Sequence, residues 1–369
     1  MKSLVWVTPD YFIETDIYIV PELSNYYNIH WIIEHGCILE NIPFFSDINN
    51  LGYMKNLHVE YVKRPCAHPL SLKFWGYYWS FLSKIKNYKP DAIYSAVLGI
   101  PYIPFCVFRI PRKKIIFAAH NVTTPKGTKH YTLTKLYMGL VWNWFKNFQN
   151  FSKSQYNLLR TEYHNKNNFY APFILKDYGI PTNEPADTIT FLSYGRIRGY
   201  KCIEVLIESA QRVKEQCDVP FRVIIAGECN EWVKYQALIK YPEIFDLRIK
   251  NVENEDVPNL FGESHYTVLP YQDIAQSGAL FVCINYSKPS ILSSLPAFTE
   301  YLTDGVDGLF VRPVNVEDLT NKMLYVLKNH KTVYPQLVEN LNKNKSQNFD
   351  KSVIISKYKQ YIDSLICHN

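Results

Sequence analysis

Short apolar runs alternate with longer amphipathic ones along the whole chain, and this rhythm limits the possible folds more than any other feature. SLVWVT (3–8) stops at a Pro-Asp turn and reads as a buried strand. IYIVPELSNYY follows with helical spacing, and IHWIIEHG reads as a second strand. KPDAIYSAV and KKIIFAAHN repeat the pattern of a turn or basic entry into an apolar strand. Alternation of this kind predicts a parallel sheet covered by helices. At Tyr178–Thr188 (YGIPTNEPADT) two prolines, an asparagine and acids interrupt it, which reads as an interdomain linker. The rhythm then restarts. TITFLSYGRI, FRVIIAG, FDLRIKNV, HYTVLPY and INYSKPSILSS each read as containing a strand. CIEVLIESAQRVKEQ carries apolar residues at 203, 206, 207 and 210 and reads as an amphipathic helix, as does VEDLTNKMLYVLKNH. The expected organisation is a first α/β domain over 1–180, a second over 187–345, and a terminal helix over 350–369 (SVIISKYKQYIDSLI) that packs back on the first. The 369 residues suit two domains of roughly 100–200 residues each.

Charge separates the halves. Residues 1–180 hold 20 Lys and Arg against 11 Asp and Glu, and residues 181–369 hold 20 against 23. Within 63–160 there are 16 basic residues and a single acid, Asp91. Two aromatic-basic stretches lie in that span, SLKFWGYYWSFLSKIKNYK (71–89) and KLYMGLVWNWFKNFQNFSK (135–153). Trp and Tyr mixed with Lys suit an anionic membrane surface, while an aromatic core helix with snorkelling lysines is the structural alternative. The eight cysteines are scattered, with no CxxC and no His pair at ligand spacing, so neither a zinc site nor a disulfide framework is expected. MKSLVWVTPDYF reads as a first strand rather than a signal peptide. The longest uncharged run, Ala92–Phe108, is broken by Gly99, Pro101 and Pro104, against a transmembrane helix. These readings predict a cytoplasmic protein, peripheral on the inner face of the plasma membrane. Modules that stack bases are absent from the chain, so nucleic acid is not an expected partner.

Three constellations in the second half carry chemistry. In YGRIRGYK a strand ends at Gly195, Arg196 follows, and Lys201 lies at the start of the next helix. A guanidinium fork and an ammonium on one strand–loop–helix turn can converge on a diphosphate. Gly227 ends the strand FRVIIAG, where a missing side chain lets a ligand approach the backbone. Ser277 and Gly278 open an apolar helix, whose free N–H groups and positive dipole end form a phosphate site.

The order GRIRGYK, IIAG, VLPY, SG, KPSI, EYLTDGVDGLFVRP resembles the nucleotide-sugar domain of glycosyltransferase family 4, which has the GT-B fold of two Rossmann-like doubly wound domains facing a central cleft. The likeness is good over Thr188–Leu327. Over the first half it rests on the strand–helix rhythm and FAAHN. The resemblance implies that Gly195, Arg196, Lys201, Ser277 and Gly278 bind the donor diphosphate, and that Gly227 and the adjoining Glu228 bind the nucleotide. His120 resembles the first-domain histidine that approaches the donor sugar. Asp16, read as lying in the loop after the first strand, would serve as acceptor base or hydroxyl ligand. Asn121 and Lys126, in the polar loop HNVTTPKGTKHY, would gate the acceptor. One departure stands out. Relatives carry two glutamates eight positions apart near the Ser-Gly helix, and here Ile274 and Val282 take their places, with Asp273 beside the first as a substitute.

The resemblance therefore implies a metal-independent hexosyltransferase with no cofactor beyond its UDP- or GDP-linked co-substrate; the chain holds no DxD. It would act on a lipid-linked or oligosaccharide acceptor in bacterial surface polysaccharide synthesis. Two rivals remain: a catalytically inactive GT-B scaffold or partner subunit that only binds nucleotide, and a sugar-nucleotide epimerase on the same fold.

Overall fold

The structure is a computed structural model that describes residues 1–36, 38, 41–42, 44–65, 71–96, 110–119, 122–123, 131–176, 178–274 and 276–367. The chain divides into two compact units. The first comprises Met1–Ile174 and Lys351–Asn369, the second Leu175–Asp350.

The first unit holds a seven-stranded, all-parallel sheet: β1 (Ser3–Pro9), β2 (Asn28–His35), β3 (Leu57–Lys63), β4 (Ala92–Ser95), β5 (Ile115–Ala119), β6 (Asn147–Asn150) and β7 (Asn167–Tyr170). Its spatial order is β3-β2-β1-β4-β5-β6-β7. β1 is apolar on both sides because both faces of the sheet are covered. Leu4 and Trp6 pack into one core, Val5 and Val7 into another. Trp6 stands in register with Trp31 of β2 and Tyr94 of β4 and stacks on the tyrosine with ring centroids 3.8 Å apart. The terminal helix Lys351–Cys367 closes this core. Tyr358 is fully buried against Trp6 and Tyr94, and the Tyr27 hydroxyl donates to Asp363 at 2.7 Å.

The second unit repeats the plan with six parallel strands: β8 (Ile189–Tyr194), β9 (Phe221–Ala226), β10 (Phe245–Arg248), β11 (Tyr266–Leu269), β12 (Ser290–Ser293) and β13 (Leu309–Val311). The order is β10-β9-β8-β11-β12-β13. In each sheet the winding direction reverses beside the first strand, between β1 and β4 and between β8 and β11. Open parallel sheets bind ligands outside the carboxyl ends of the strands at such a reversal. The Ile203–Gln216 helix follows the expected spacing and buries Ile203, Leu206, Ile207 and Ala210. The Tyr178–Thr188 stretch belongs to the second unit. Thr182 N–H and Oγ1–H both donate to Asn259 Oδ1 at 2.8 Å.

Three strands escape the apolar rhythm. β3 is only partly buried along most of its length. β7 is NNFY. β6 is NFQN, yet all four residues are buried. Its amides are matched to other segments of the unit: Gln149 Nε2 donates to Ala171 O at 2.9 Å and Oε1 accepts from the Tyr94 hydroxyl at 3.0 Å, while Asn147 Nδ2 donates to Lys113 O at 2.9 Å. Buried amides are tolerated where they are hydrogen-bonded, and those partners lie far away in the chain.

Candidate functional site

In the second unit the predicted donor residues lie beyond the carboxyl ends of three adjacent strands. β8 runs into Gly195, β9 into Gly227 and β11 into the loop that reaches Ser277. The ladder continues past the strands: Gly195 N–H donates to Ala226 O at 2.9 Å, Ile197 N–H to Glu228 O at 2.9 Å, and Gly227 N–H to Arg248 O at 3.1 Å. These bonds hold the two glycine turns side by side. Gly195 has φ +92°, favourable only to glycine. A Cβ on Gly227 would lie 2.4 Å from Gly195 O. The glycines are therefore needed first to let the two turns pass each other.

Lys201 lies beneath this turn. It ends the 3₁₀ segment Gly199–Lys201 and is only 7% exposed. Its Nζ donates to Tyr194 O at 3.2 Å and lies 5.6 Å from the centre of the Tyr271 ring. Burial pulls the ammonium down to about 8. Cys202 next to it adopts a left-handed conformation (φ +50°), which the chain holds at the entry to the Ile203–Gln216 helix. Arg196, in contrast, is mostly exposed, and its guanidinium is turned to the Glu228 carboxylate, with Nε donating to Oε2 at 2.8 Å. The two cations expected to share one diphosphate thus occupy different settings: one is a buried floor, the other an exposed arm tethered to an acid from the adjacent turn.

Ser277 caps the Gly278–Asn285 helix, its buried hydroxyl accepting from Leu280 N–H at 3.3 Å. Among the described residues, a Cβ added to Gly278 would meet nothing within 4 Å. Gln272 N–H donates to Tyr200 O at 2.8 Å, and Tyr200 meets Tyr271 edge to face. These contacts tie the loop after β11 to the loop after β8, across the point where the winding reverses. Asp273 is exposed on that loop, and Ile274 is half-buried. Val282 is buried inside the helix. A cavity of about 390 Å³, lined by Ala226, Arg248, Lys250 and Asp256 among others, opens beside the ends of β9 and β10.

In the first unit Asp16 differs from the expectation. It is not in a loop open to an acceptor. It ends the four-residue helix Ile13–Asp16 and is completely buried. Trp6 Nε1 and Thr8 Oγ1 both donate to its Oδ2, at 2.9 and 2.6 Å, and Trp31 Nε1 donates in turn to Thr8 Oγ1 at 2.8 Å. Burial raises the carboxyl to about 7. The Trp6 indole and the Thr8 hydroxyl, both on β1, draw the side chain inward. His120, Asn121 and Lys126 lie outside the described residues.

A second polar group gathers at the carboxyl ends of β1, β2 and β3, and the sequence reading missed it. Arg64 Nη2 reaches Asp10 Oδ1 and Oδ2 at 3.0 and 3.1 Å, and Gly36 N–H donates to the same carboxylate at 2.8 Å. Glu34 is fully buried beside them. Its Oε1 accepts from the Tyr77 and Tyr78 hydroxyls at 3.1 and 3.3 Å, whereas Oε2 has no hydrogen-bond partner among the described residues. Burial raises the Glu34 carboxyl, with Arg64 opposing the rise. The signal available in sequence was an acid immediately before or after a strand end, Asp10 in TPDY and Glu34 in EHG.

Residues 179–348, just under half of the chain, match the family model described as glycosyl transferases group 1. No curated protein matches the chain. Among solved structures, a glycosyltransferase from Rickettsia africae ESF-5 superposes with a TM-score of 0.76 at 15% identity, over 100% of this chain and 99% of that one. HepE from Anabaena in complex with UDP gives a TM-score of 0.73 at 13% identity, over 99% and 100%. Sucrose-phosphate synthase from Thermosynechococcus elongatus gives 0.73 at 13%, over 100% of both chains. The expected fold of two doubly wound α/β domains, GT-B, is the observed one.

Proposed function

We propose that the chain is a glycosyltransferase that takes a sugar from a nucleoside-diphosphate donor bound in its second unit. One observation carries the reading: Gly195, Arg196, Lys201, Gly227, Ser277 and Gly278 come together at the carboxyl ends of β8, β9 and β11, where the winding of the sheet reverses. The matched family model spans all of them, and HepE, a protein of similar fold, has been solved with UDP. Lys201 and the open N–H groups at Gly278 would face the diphosphate, and Arg196 would exchange Glu228 for a phosphate oxygen. As the glycosidic bond breaks, negative charge builds on the departing diphosphate. Fixed cations and helix N–H groups stabilise it without reorganising. The cavity beside Gly227 has room for the nucleoside.

The acceptor side of the reading rests on the first unit. Asp10, Glu34 and Arg64 offer hydroxyl-binding groups at the carboxyl ends of its strands. The helix Tyr131–Trp144 exposes Leu133, Leu136, Leu140 and Trp144 at helical spacing within the basic span, which supports contact with an anionic membrane and a lipid-linked acceptor. Among the described residues no helix is long and apolar enough to cross a membrane. We place the reaction in bacterial surface polysaccharide synthesis at the inner face of the plasma membrane, with a hexose as the transferred group.

Thermal-shift measurements with UDP-, GDP-, ADP- and CMP-linked sugars, followed by transfer and donor-hydrolysis assays on the hits, test the reading. One donor class should raise the melting temperature. Arg196→Ala and Lys201→Ala should each lower turnover by about 10²–10³, comparable to removing an oxyanion donor. Near-normal kcat/KM in both variants removes the donor-site assignment. Because Ile274 and Val282 supply no carboxylate, a second reading is also on trial. Binding of a nucleotide sugar with neither transfer nor hydrolysis would identify a scaffold that keeps the site and lacks the reaction.

A further inference from the structure

At the amino ends of β6 and β7, the end of the first sheet opposite Asp10 and Glu34, lies a cavity of about 480 Å³. That is the size range of sites for small organic ligands. Its wall is built from segments far apart in the chain: Tyr156 and Arg160 of the Lys153–Glu162 helix, Lys166 and Asn167 at the start of β7, and Tyr361 and Leu365 of the terminal helix. Among the described residues no carboxylate lines it. The one acid of the terminal helix, Asp363, is engaged by Tyr27 and Lys359 instead.

The two cations are held in place. Arg160 Nη1 donates to the Tyr156 hydroxyl at 3.0 Å and the guanidinium lies 5.5 Å from the centre of that ring, which leaves most of its N–H donors uncommitted. Lys166 Nζ donates to Asn143 O and Phe145 O at 3.2 and 2.9 Å, carbonyls at the end of the Tyr131–Trp144 helix. An ammonium has one donor more than these bonds use. Burial lowers Lys166, and the neighbouring positive charge of Lys146 lowers it further. Tyr361 and Leu365 offer an apolar wall beside the charges, and the Tyr361 hydroxyl is already committed to Asn167 O at 2.7 Å.

We infer that this cavity is a binding site for a phosphomonoester, its phosphate held by the Arg160 fork and Lys166 and its organic part resting on Tyr361 and Leu365. A guanidinium and an ammonium together match a dianion with three acceptor oxygens better than a single carboxylate. Because the wall joins β7 and the terminal helix, an occupant also ties the last segment of the chain to the first unit. The inference stands apart from the proposed donor site, which lies in the other unit.

The test uses the full chain carrying Lys201→Met, which weakens phosphate binding at the proposed donor site, and Arg160 variants then report on this cavity. Glycerol 3-phosphate is titrated by calorimetry, and phosphatidic acid vesicles are compared with phosphatidylcholine vesicles by co-sedimentation. Binding of at least one phosphate probe is expected, weakened about tenfold or more, which is about 1.4 kcal/mol, by Arg160→Glu and less by Arg160→Gln. Arg160 is exposed, and circular dichroism of both variants should match the parent. Glycerol 3-phosphate binding lost in Arg160→Glu identifies a soluble phosphomonoester. Vesicle binding specific to phosphatidic acid and lost in the same variant identifies a lipid headgroup. Binding that is unchanged in Arg160→Glu, or none of either probe up to about 10 mM, a threshold near 3 kcal/mol, overturns the inference.

Discussion

Lys201 shows what burying a cation costs in stability. Its ammonium is buried, and burial pulls it down to about 8 from the ordinary lysine value of 10.5. Between those values the unfolded chain holds more protons than the folded one, so stability rises with pH across the window. Below about 8 both states are charged and the folded state carries the whole desolvation cost, at most roughly 3 kcal/mol. Lys201→Met should therefore melt higher than the parent at pH 7, by an amount that shrinks as pH approaches 10.5, while losing donor affinity. Denaturant melts at pH 7, 8.5 and 10 check this, and a variant that melts lower at pH 7 shows that the Tyr194 carbonyl bond outweighs desolvation. Arg196 and Asp16 stand at the same scale with different outcomes. The residue type was legible in both cases. Their partners were not, because Glu228 lies 32 residues from Arg196 and Trp6 lies across a turn from Asp16.

Among the elements, the turns after β8, β9 and β11 separate a packing role for glycine from a binding role. Gly227→Ala would drive its Cβ against the Gly195 carbonyl, which is backbone and cannot swing aside. It should lower stability by about 1–3 kcal/mol and displace Arg196, weakening donor binding as a consequence. A methyl on Gly278 would meet no atom of the described residues within 4 Å. Gly278→Ala should leave stability unchanged or raise it by up to about 1 kcal/mol, and should still weaken nucleotide-sugar binding because the methyl occupies the approach to the helix N–H groups. Paired melting and calorimetric titration of the two variants separates these effects. A Gly278→Ala chain that binds the donor normally would place the diphosphate elsewhere. The glycine turns and the Ser-Gly helix start were legible because each is a local pattern of adjacent residues. β6 was not, since NFQN has the composition of a loop and becomes a strand only where Tyr94, Ala171 and Lys113 complete its amide bonds.

On the scale of the whole molecule, the chain leaves the first unit after Ile174 and returns to it at Lys351. The terminal helix is part of that unit's core, with Tyr358 fully buried against Trp6 and Tyr94. Tyr358→Ala should cost about 3–5 kcal/mol, as for other large buried side chains. The loss should appear as faster amide exchange in β1 and β4, with exchange in β8 and β11 and the binding of nucleotide sugar unchanged. Equal acceleration in both sheets would show that the two units unfold together.

By itself the sequence determined two parallel α/β units and the glycine turns of the second, because hydrophobic period and glycine position act over a few neighbouring residues. Only the tertiary structure decided that Asp16 is a core residue, that Arg196 rests on Glu228, and that Asp10, Glu34 and Arg64 from three strands form one polar group. Each of these depends on side chains brought together from distant parts of the chain, where burial and hydrogen-bond partners, rather than residue type, set what a charged group can do.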